Sequence, residues 1–73
     1  MKLNFSRHAK RRMKWRGISE EDVYFIVNNP DKIEESIKGR TNAYKSLGKR
    51  YIKVTYKKFV DKILIISAVD KGV

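Results

Sequence analysis

The chain has 73 residues, no cysteine and a single histidine, His8. Without thiols it cannot form disulfide bonds or thiolate metal sites, and one imidazole cannot build a histidine-rich zinc site, so we predict no metal and no cofactor. Its longest apolar run, residues 63–66, is far shorter than the roughly 20 residues of a membrane helix. The N-terminus has no signal-peptide core, so we expect a cytoplasmic protein with no membrane partner.

Positive charge is abundant, with 18 lysines and arginines against 8 acidic residues and a net charge of +10. It is also segregated along the chain. Residues 1–16 and 37–73 are strongly basic, whereas residues 17–36 hold six acids and only Lys32. A basic field of this size favours a polyanion partner such as RNA, DNA or an acidic protein segment. A lysine-rich soluble surface is the alternative.

Helical spacing in the first third of the chain gives way to alternation in the rest. Residues 5–16 predict a helix with Ser6 as N-cap and Gly17 as a left-handed stop, and Ser19 with Asp22 predicts a capping box for a second helix. After a short extended segment at residues 1–4 and these helices, strands are predicted at residues 32–38, 42–47, 50–57 and 62–69. We therefore predict one α+β domain over residues 1–73, with two N-terminal helices packed on one face of a four-stranded antiparallel sheet.

The first predicted helix carries an unusual stripe of polar residues. His8, Arg12 and Arg16 follow one another at i, i+4 and i+8 on the same side as the apolar Ala9 and Met13. Metal-free RNA cleavage by the 2′-hydroxyl needs proton transfer and cations around the phosphate, which one histidine and two arginines can supply. The structural alternative is that the arginines form ion pairs with acids of the segment 17–36. The other cations of the helix lie on the opposite arc: Arg7, Lys10, Arg11 and Lys14.

The predicted strand 50–57 offers a second functional surface. Its polar face carries Tyr51, Lys53, Thr55 and Lys57, with Arg50 at its start. Aromatic rings can stack on bases while lysines hold phosphates, so this face is a candidate nucleic-acid surface. An ordinary solvated sheet face is the alternative.

The motif HAxxRMxxRGIS, spanning residues 8–19, resembles a family of small uncharacterised bacterial and archaeal domains. That family looks like a branch of the RelE/ParE toxin superfamily, close to BrnT-like toxins. The resemblance implies a RelE-like helix pair on an antiparallel sheet and metal-independent cleavage of RNA, often ribosome-bound mRNA. It also implies a cognate antitoxin protein that blocks the activity. By position, the motif residues His8, Arg12 and Arg16 match closely, and Arg40, Tyr44 and Arg50 match more loosely.

Three functions remain open from the sequence. The leading hypothesis is a toxin-like, metal-independent endoribonuclease with His8, Arg12 and Arg16 as catalytic residues. The alternatives are a non-catalytic nucleic-acid-binding module and a protein-interaction domain for an acidic segment. The edge strand 32–38 also predicts a homodimer formed by strand pairing. The residues predicted to bind nucleic acid are Arg40, Tyr44, Arg50, Tyr51, Lys53 and Lys57.

Overall fold

The computed structural model describes residues 2–72, which form two helices and five strands. In chain order these are β1 (Lys2–Phe5), α1 (Arg7–Arg16), α2 (Glu20–Asn28), β2 (Lys32–Glu35), β3 (Arg40–Leu47), β4 (Arg50–Lys58) and β5 (Lys62–Asp70). A 3₁₀ turn at Ile37–Gly39 joins β2 to β3. Across residues 2–72 no helix is long and apolar enough to cross a membrane.

The sheet has five strands in the order β1-β5-β4-β3-β2. The edge strand β1 runs parallel to β5, with Leu3 opposite Ile63, and the other three pairs are antiparallel. The predicted four-stranded antiparallel sheet is therefore wrong. The missing strand is too short to show alternation, and its partner lies at the far end of the sequence, so no local pattern reveals the pairing. Met1 of the predicted extended segment lies outside the described residues.

Both helices begin where their capping residues predict. The Ser6 side chain accepts a hydrogen bond from the Ala9 N–H at 3.0 Å, and Gly17 ends α1 in the left-handed region at φ 66°. Ser19 and Asp22 cap α2 reciprocally, each bond being 3.0 Å. The predicted first helix starts too early, however, because residue 5 is the last residue of β1.

Both helices cover the same face of the sheet. Ala9 and Met13 of α1 are buried over β5, and Val23 and Ile26 of α2 are buried over β3 and β4. The sheet side of this core consists of inward-facing side chains of all strands except β2: Leu3, Ala43, Ile52, Val54, Tyr56, Ile63, Ile65 and Ala68. Among the described residues no helix lies over the opposite face, which leaves its side chains available to a ligand.

The predicted polar strand 32–38 is shorter than expected. The structure ends it at Glu35, and Lys38 adopts a left-handed conformation at φ 59°. Every residue from Asp31 to Arg40 is exposed. The strand is therefore a short, solvated edge, as its charged composition suggests.

Candidate nucleic-acid interface

We call the uncovered side of the sheet the open face. Strand alternation and register assign to it the side chains of Lys32, Glu34, Arg40, Asn42, Tyr44, Ser46, Tyr51, Lys53, Thr55, Lys57, Leu64, Ser67 and Val69. Lys53 lies opposite Tyr44, and Lys57 lies opposite Arg40. Five of the six residues predicted to bind nucleic acid therefore share this face, with Arg50 as the exception. Two of them, Arg40 and Tyr44, come from a different strand than the other three.

Two tyrosine rings form the centre of the open face. Tyr44 and Tyr51 are diagonal neighbours across β3 and β4, with ring centroids 5.8 Å apart and an interplanar angle of 21°. The Tyr44 hydroxyl donates a hydrogen bond to Glu34 Oε1 at 2.9 Å. That bond, with desolvation as the second cause, raises the pKa of Tyr44 above its ordinary value. The bond itself holds the ring in place. The pair is a preformed, half-buried aromatic platform.

Cations surround the tyrosine platform. Within residues 2–72 no ion pair engages Arg40, Lys53 or Lys57. The strand residues of the open face include one carboxylate, Glu34, which lies 3.8 Å from Lys32 Nζ. The open face is therefore strongly electropositive, and its cations are available to phosphate groups.

One aromatic residue of this surface was missed by the sequence reasoning. Phe59, in the β4–β5 turn, is 44% exposed, and its ring centroid lies 5.7 Å from Lys57 Nζ and 5.5 Å from Lys62 Nζ. It extends the aromatic and basic surface to the end of the sheet. The sequence did hold a signal for it, because Phe59 lies in a predicted turn with lysines on both sides. A search for apolar periodicity does not detect such a residue.

Arg50 lies on the helix side of the sheet rather than on the open face. Its Nη2 donates to the Arg16 carbonyl at 2.7 Å and its Nη1 to the Gly17 carbonyl at 3.1 Å. Its Nε lies 3.3 Å from Asp70 Oδ2. Arg50 therefore donates hydrogen bonds to carbonyl groups at the C-terminal end of α1 and links this end to β4 and β5. The predicted role was a phosphate contact, whereas the role in the structure is a structural one.

The three predicted catalytic residues lie together on α1, on the helix side of the sheet and away from the open face. His8 and Arg16 are exposed, and Arg12 is half-buried. The stripe adjoins the buried line of Ala9 and Met13, as its spacing predicts, but its side chains reach solvent beside that line. Within residues 2–72 neither arginine forms an ion pair with an acid.

The structure also contains an apolar groove of about 420 Å³ at the C-terminal end of α2. It is lined by Leu3, Tyr24, Val27, Asn28, Pro30, Ile33, Tyr56, Lys58 and Ile63. None of the residues predicted to act on nucleic acid lines it. The candidate interface is therefore a flat, charged sheet surface, which suits a polymer better than a small molecule. Among residues 2–72 no cluster of histidine or acidic side chains can hold a metal ion.

Comparison of the sequence with protein-family models finds a match over residues 5–70, which is nearly the whole chain. The protein belongs to the family described as domain of unknown function DUF4258. The DUF4258 match begins in β1 and ends in β5, so it includes the motif on α1 and the whole open face. Comparisons with curated proteins and with solved structures gave no match.

Proposed function

We propose that this DUF4258 protein binds single-stranded RNA on the open face of its sheet. The observation that carries the proposal is the tyrosine platform of Tyr44 and Tyr51 among three cations that form no ion pair within residues 2–72, namely Arg40, Lys53 and Lys57. Aromatic rings on an uncovered antiparallel sheet stack on unpaired bases, and neighbouring lysines hold the phosphates between them. Duplex RNA would present its phosphates but not its base faces, so the platform favours a single strand.

The test is binding of a labelled oligouridylate, measured by fluorescence anisotropy over a range of salt concentrations. We expect Tyr51→Ala to weaken binding about 5- to 100-fold, because stacking on one base contributes about 1–3 kcal/mol. Lys57→Ala should weaken binding less and reduce the salt slope by about 0.7, the value for one phosphate contact on a single strand.

The neighbouring Lys58 provides the matched control. Lys57 and Lys58 are both exposed, but strand alternation directs them to opposite faces of β4. Lys58→Ala changes the net charge equally and should leave affinity and salt slope near the wild-type values. Equal effects of the two lysine variants would argue for a diffuse charge effect and against binding on the open face.

We propose metal-independent RNA cleavage as a second function, carried by α1. One observation favours it: His8 is exposed beside Arg12 and Arg16, whose guanidinium groups are not occupied by acidic side chains within residues 2–72. As a base, His8 would take the proton of the attacking 2′-hydroxyl while water protonates the leaving 5′-oxygen. As an acid, it would protonate the 5′-oxygen while water takes the 2′-hydroxyl proton. In either role the arginines would hold the phosphate. The resemblance to RelE/ParE and BrnT-like toxins also supports this proposal.

Cleavage is tested by incubating wild-type protein and His8→Ala with a mixed RNA pool in EDTA and mapping the product ends. A ribonuclease of this type leaves 2′,3′-cyclic phosphates, and the variant should lose them while still binding RNA. A parallel incubation with ribosomes tests cleavage of ribosome-bound mRNA. Intact RNA in both incubations would leave the binding module as the function. A cognate antitoxin stays a prediction from the resemblance alone.

A further inference from the structure

We propose that the outer side of α1 is a second single-stranded RNA site, separate from the open face, with Trp15 as its base-stacking residue. We call this surface the α1 outer face and define it by the exposed residues Arg7, His8, Lys10, Arg11, Lys14 and Trp15. The inference deepens the proposed RNA binding, because it gives the molecule RNA-binding surfaces on both sides of the sheet.

Trp15 is the first observation. It is the single tryptophan of the chain and is 79% exposed on the last turn of α1. Its neighbours one turn back on the helix are Arg11 and Arg12, and His8 lies one turn beyond them. The Arg16 guanidinium carbon lies 5.8 Å from its ring centroid. An indole with cations around it can stack on a base while the cations hold the flanking phosphates.

The charge of α1 is the second observation. The helix carries six cations and no acid. Its residues four apart form three like-charged pairs: Arg7 with Arg11, Lys10 with Lys14, and Arg12 with Arg16. Like charges at this spacing destabilise a helix, and no acidic side chain on α1 offsets them. A bound phosphate chain would relieve this repulsion, so the helix itself is stabilised by an anionic ligand.

Position separates this surface from the open face. Ala9 and Met13 seat α1 on β5 from the helix side, so its outer residues point away from the sheet. The sheet and the buried side of α1 therefore lie between the two basic surfaces. One short oligonucleotide cannot contact both, whereas a long or folded RNA can. The exposed indole favours RNA over an acidic protein segment, which has the charge but no planar bases to stack.

The test uses Trp15 as its own reporter, with hexauridylate as the ligand at low salt. We expect hexauridylate to quench the tryptophan fluorescence of the wild-type protein. The quenching should persist, with its midpoint changed less than twofold, in the double variant Tyr51→Ala/Lys53→Ala, which removes one ring and one cation of the open face. Failure of the open-face proposal has a different signature, which is seen in a Trp15→Leu background that lacks the α1 stacking residue. There, Tyr51→Ala and Lys53→Ala would leave the anisotropy of labelled RNA unchanged.

Affinity at the α1 outer face is then measured by anisotropy of labelled hexauridylate in the double-variant background. Trp15→Leu should weaken binding about 5- to 100-fold, and Trp15→Phe should recover most of the loss because it restores a ring. Lys58 lies away from both surfaces, so Lys58→Ala should not change the affinity. Circular dichroism verifies that α1 stays folded. Because Trp15 is exposed, we expect its substitutions to change the stability of the fold little.

Three results would overturn the inference. The first is absence of quenching at low salt. The second is loss of quenching in the double variant, which would mean one continuous site rather than two. The third is equal quenching by polyglutamate at the same charge concentration, which would identify the surface as a site for an acidic protein.

Discussion

At the scale of single residues, Arg50 of β4 links α1 to β5 through its side chain. Its guanidinium donates to two carbonyls at the end of α1 and lies beside Asp70. Asp70 in turn accepts a hydrogen bond from the Gly72 N–H at 3.0 Å. A planar group with several donors is needed for this arrangement, and lysine cannot reproduce it.

We therefore expect Arg50→Lys to lower the free energy of unfolding by about 1–2 kcal/mol, since it keeps the charge but loses the paired bonds to the carbonyls. Urea unfolding of both proteins gives the difference. RNA affinity, measured on the folded variant, should stay within about twofold because the net charge is unchanged. A large loss of RNA affinity at unchanged stability would instead make Arg50 a ligand contact.

At the scale of elements, Asp31, the residue that precedes β2, adds side-chain bonds to the backbone pairing that joins β2 to β3. The Asp31 carboxylate accepts hydrogen bonds from the Ser46 N–H and from Lys45 Nζ, each at 3.0 Å. The Ser46 bond first, and then the bond to Lys45, lower the pKa of Asp31 below its ordinary value of 3.8. A carboxylate with a lowered pKa stabilises the fold while it is ionised.

The pH dependence follows from that direction. Because the folded-state pKa of Asp31 is lowered, its stabilising effect is fully present above 3.8 and is lost as the pH falls through the folded-state value. We expect wild-type protein to melt at a higher temperature than Asp31→Asn at neutral pH. The difference should shrink in strong acid. Thermal unfolding at several pH values measures it, and a difference independent of pH would rule out ionisation of Asp31 as its source.

Elements set by interactions between residues close in the sequence were predictable, whereas an element set by pairing with a distant segment was not. Ser6, Gly17 and Ser19 mark helix ends through bonds to residues within four positions, so their sequence context is sufficient. The parallel pairing of β1 depends on a partner about 60 positions later, beyond any local pattern. One clue was present. Residues 62–69 are apolar on both faces, which predicts a central strand that is covered on both faces. The structure places β5 inside the sheet, but Leu64, Ser67 and Val69 lie on the open face.

The candidate interface divides in the same way. Alternation along β4 predicts that Tyr51, Lys53 and Lys57 share a face, and the structure agrees. Alternation cannot tell which face the helices cover. Arg50 was assigned to the surface for a different reason, because a basic residue beside a tyrosine resembles a phosphate contact. Arg50 has the opposite parity to Tyr51, so strict alternation along the strand would have excluded it.

At the scale of the whole molecule, the acidic segment 17–36 forms α2 and the edge strand β2, whereas basic residues line the open face and α1. Charge segregation along the sequence thus becomes segregation in space. A polyanion is drawn to the basic surfaces and repelled from the β2 edge.

A homodimer through β2 stays a prediction, and the backbone of β2 defines the geometry that it would have. The Ser36 N–H donates to the Arg40 carbonyl at 2.8 Å, so even-numbered residues of β2 bond to β3, and Ile33 and Glu35 direct their backbone groups outwards. Two-fold pairing centred on Ile33 would bring Lys32 opposite the partner's Glu34. The complementary charges and the 55% exposure of Ile33 favour this register.

Because only four residues form the edge, we expect a weak dimer that depends on protein concentration, detectable as a rise in sedimentation coefficient. Ile33→Pro removes an outward N–H and should keep the protein monomeric. Ile37→Lys is the control, because residue 37 is 75% exposed nearby but lies outside the strand, so it should leave association unchanged. A wild-type protein that stays monomeric at every concentration, or one whose association survives Ile33→Pro, would exclude pairing through β2.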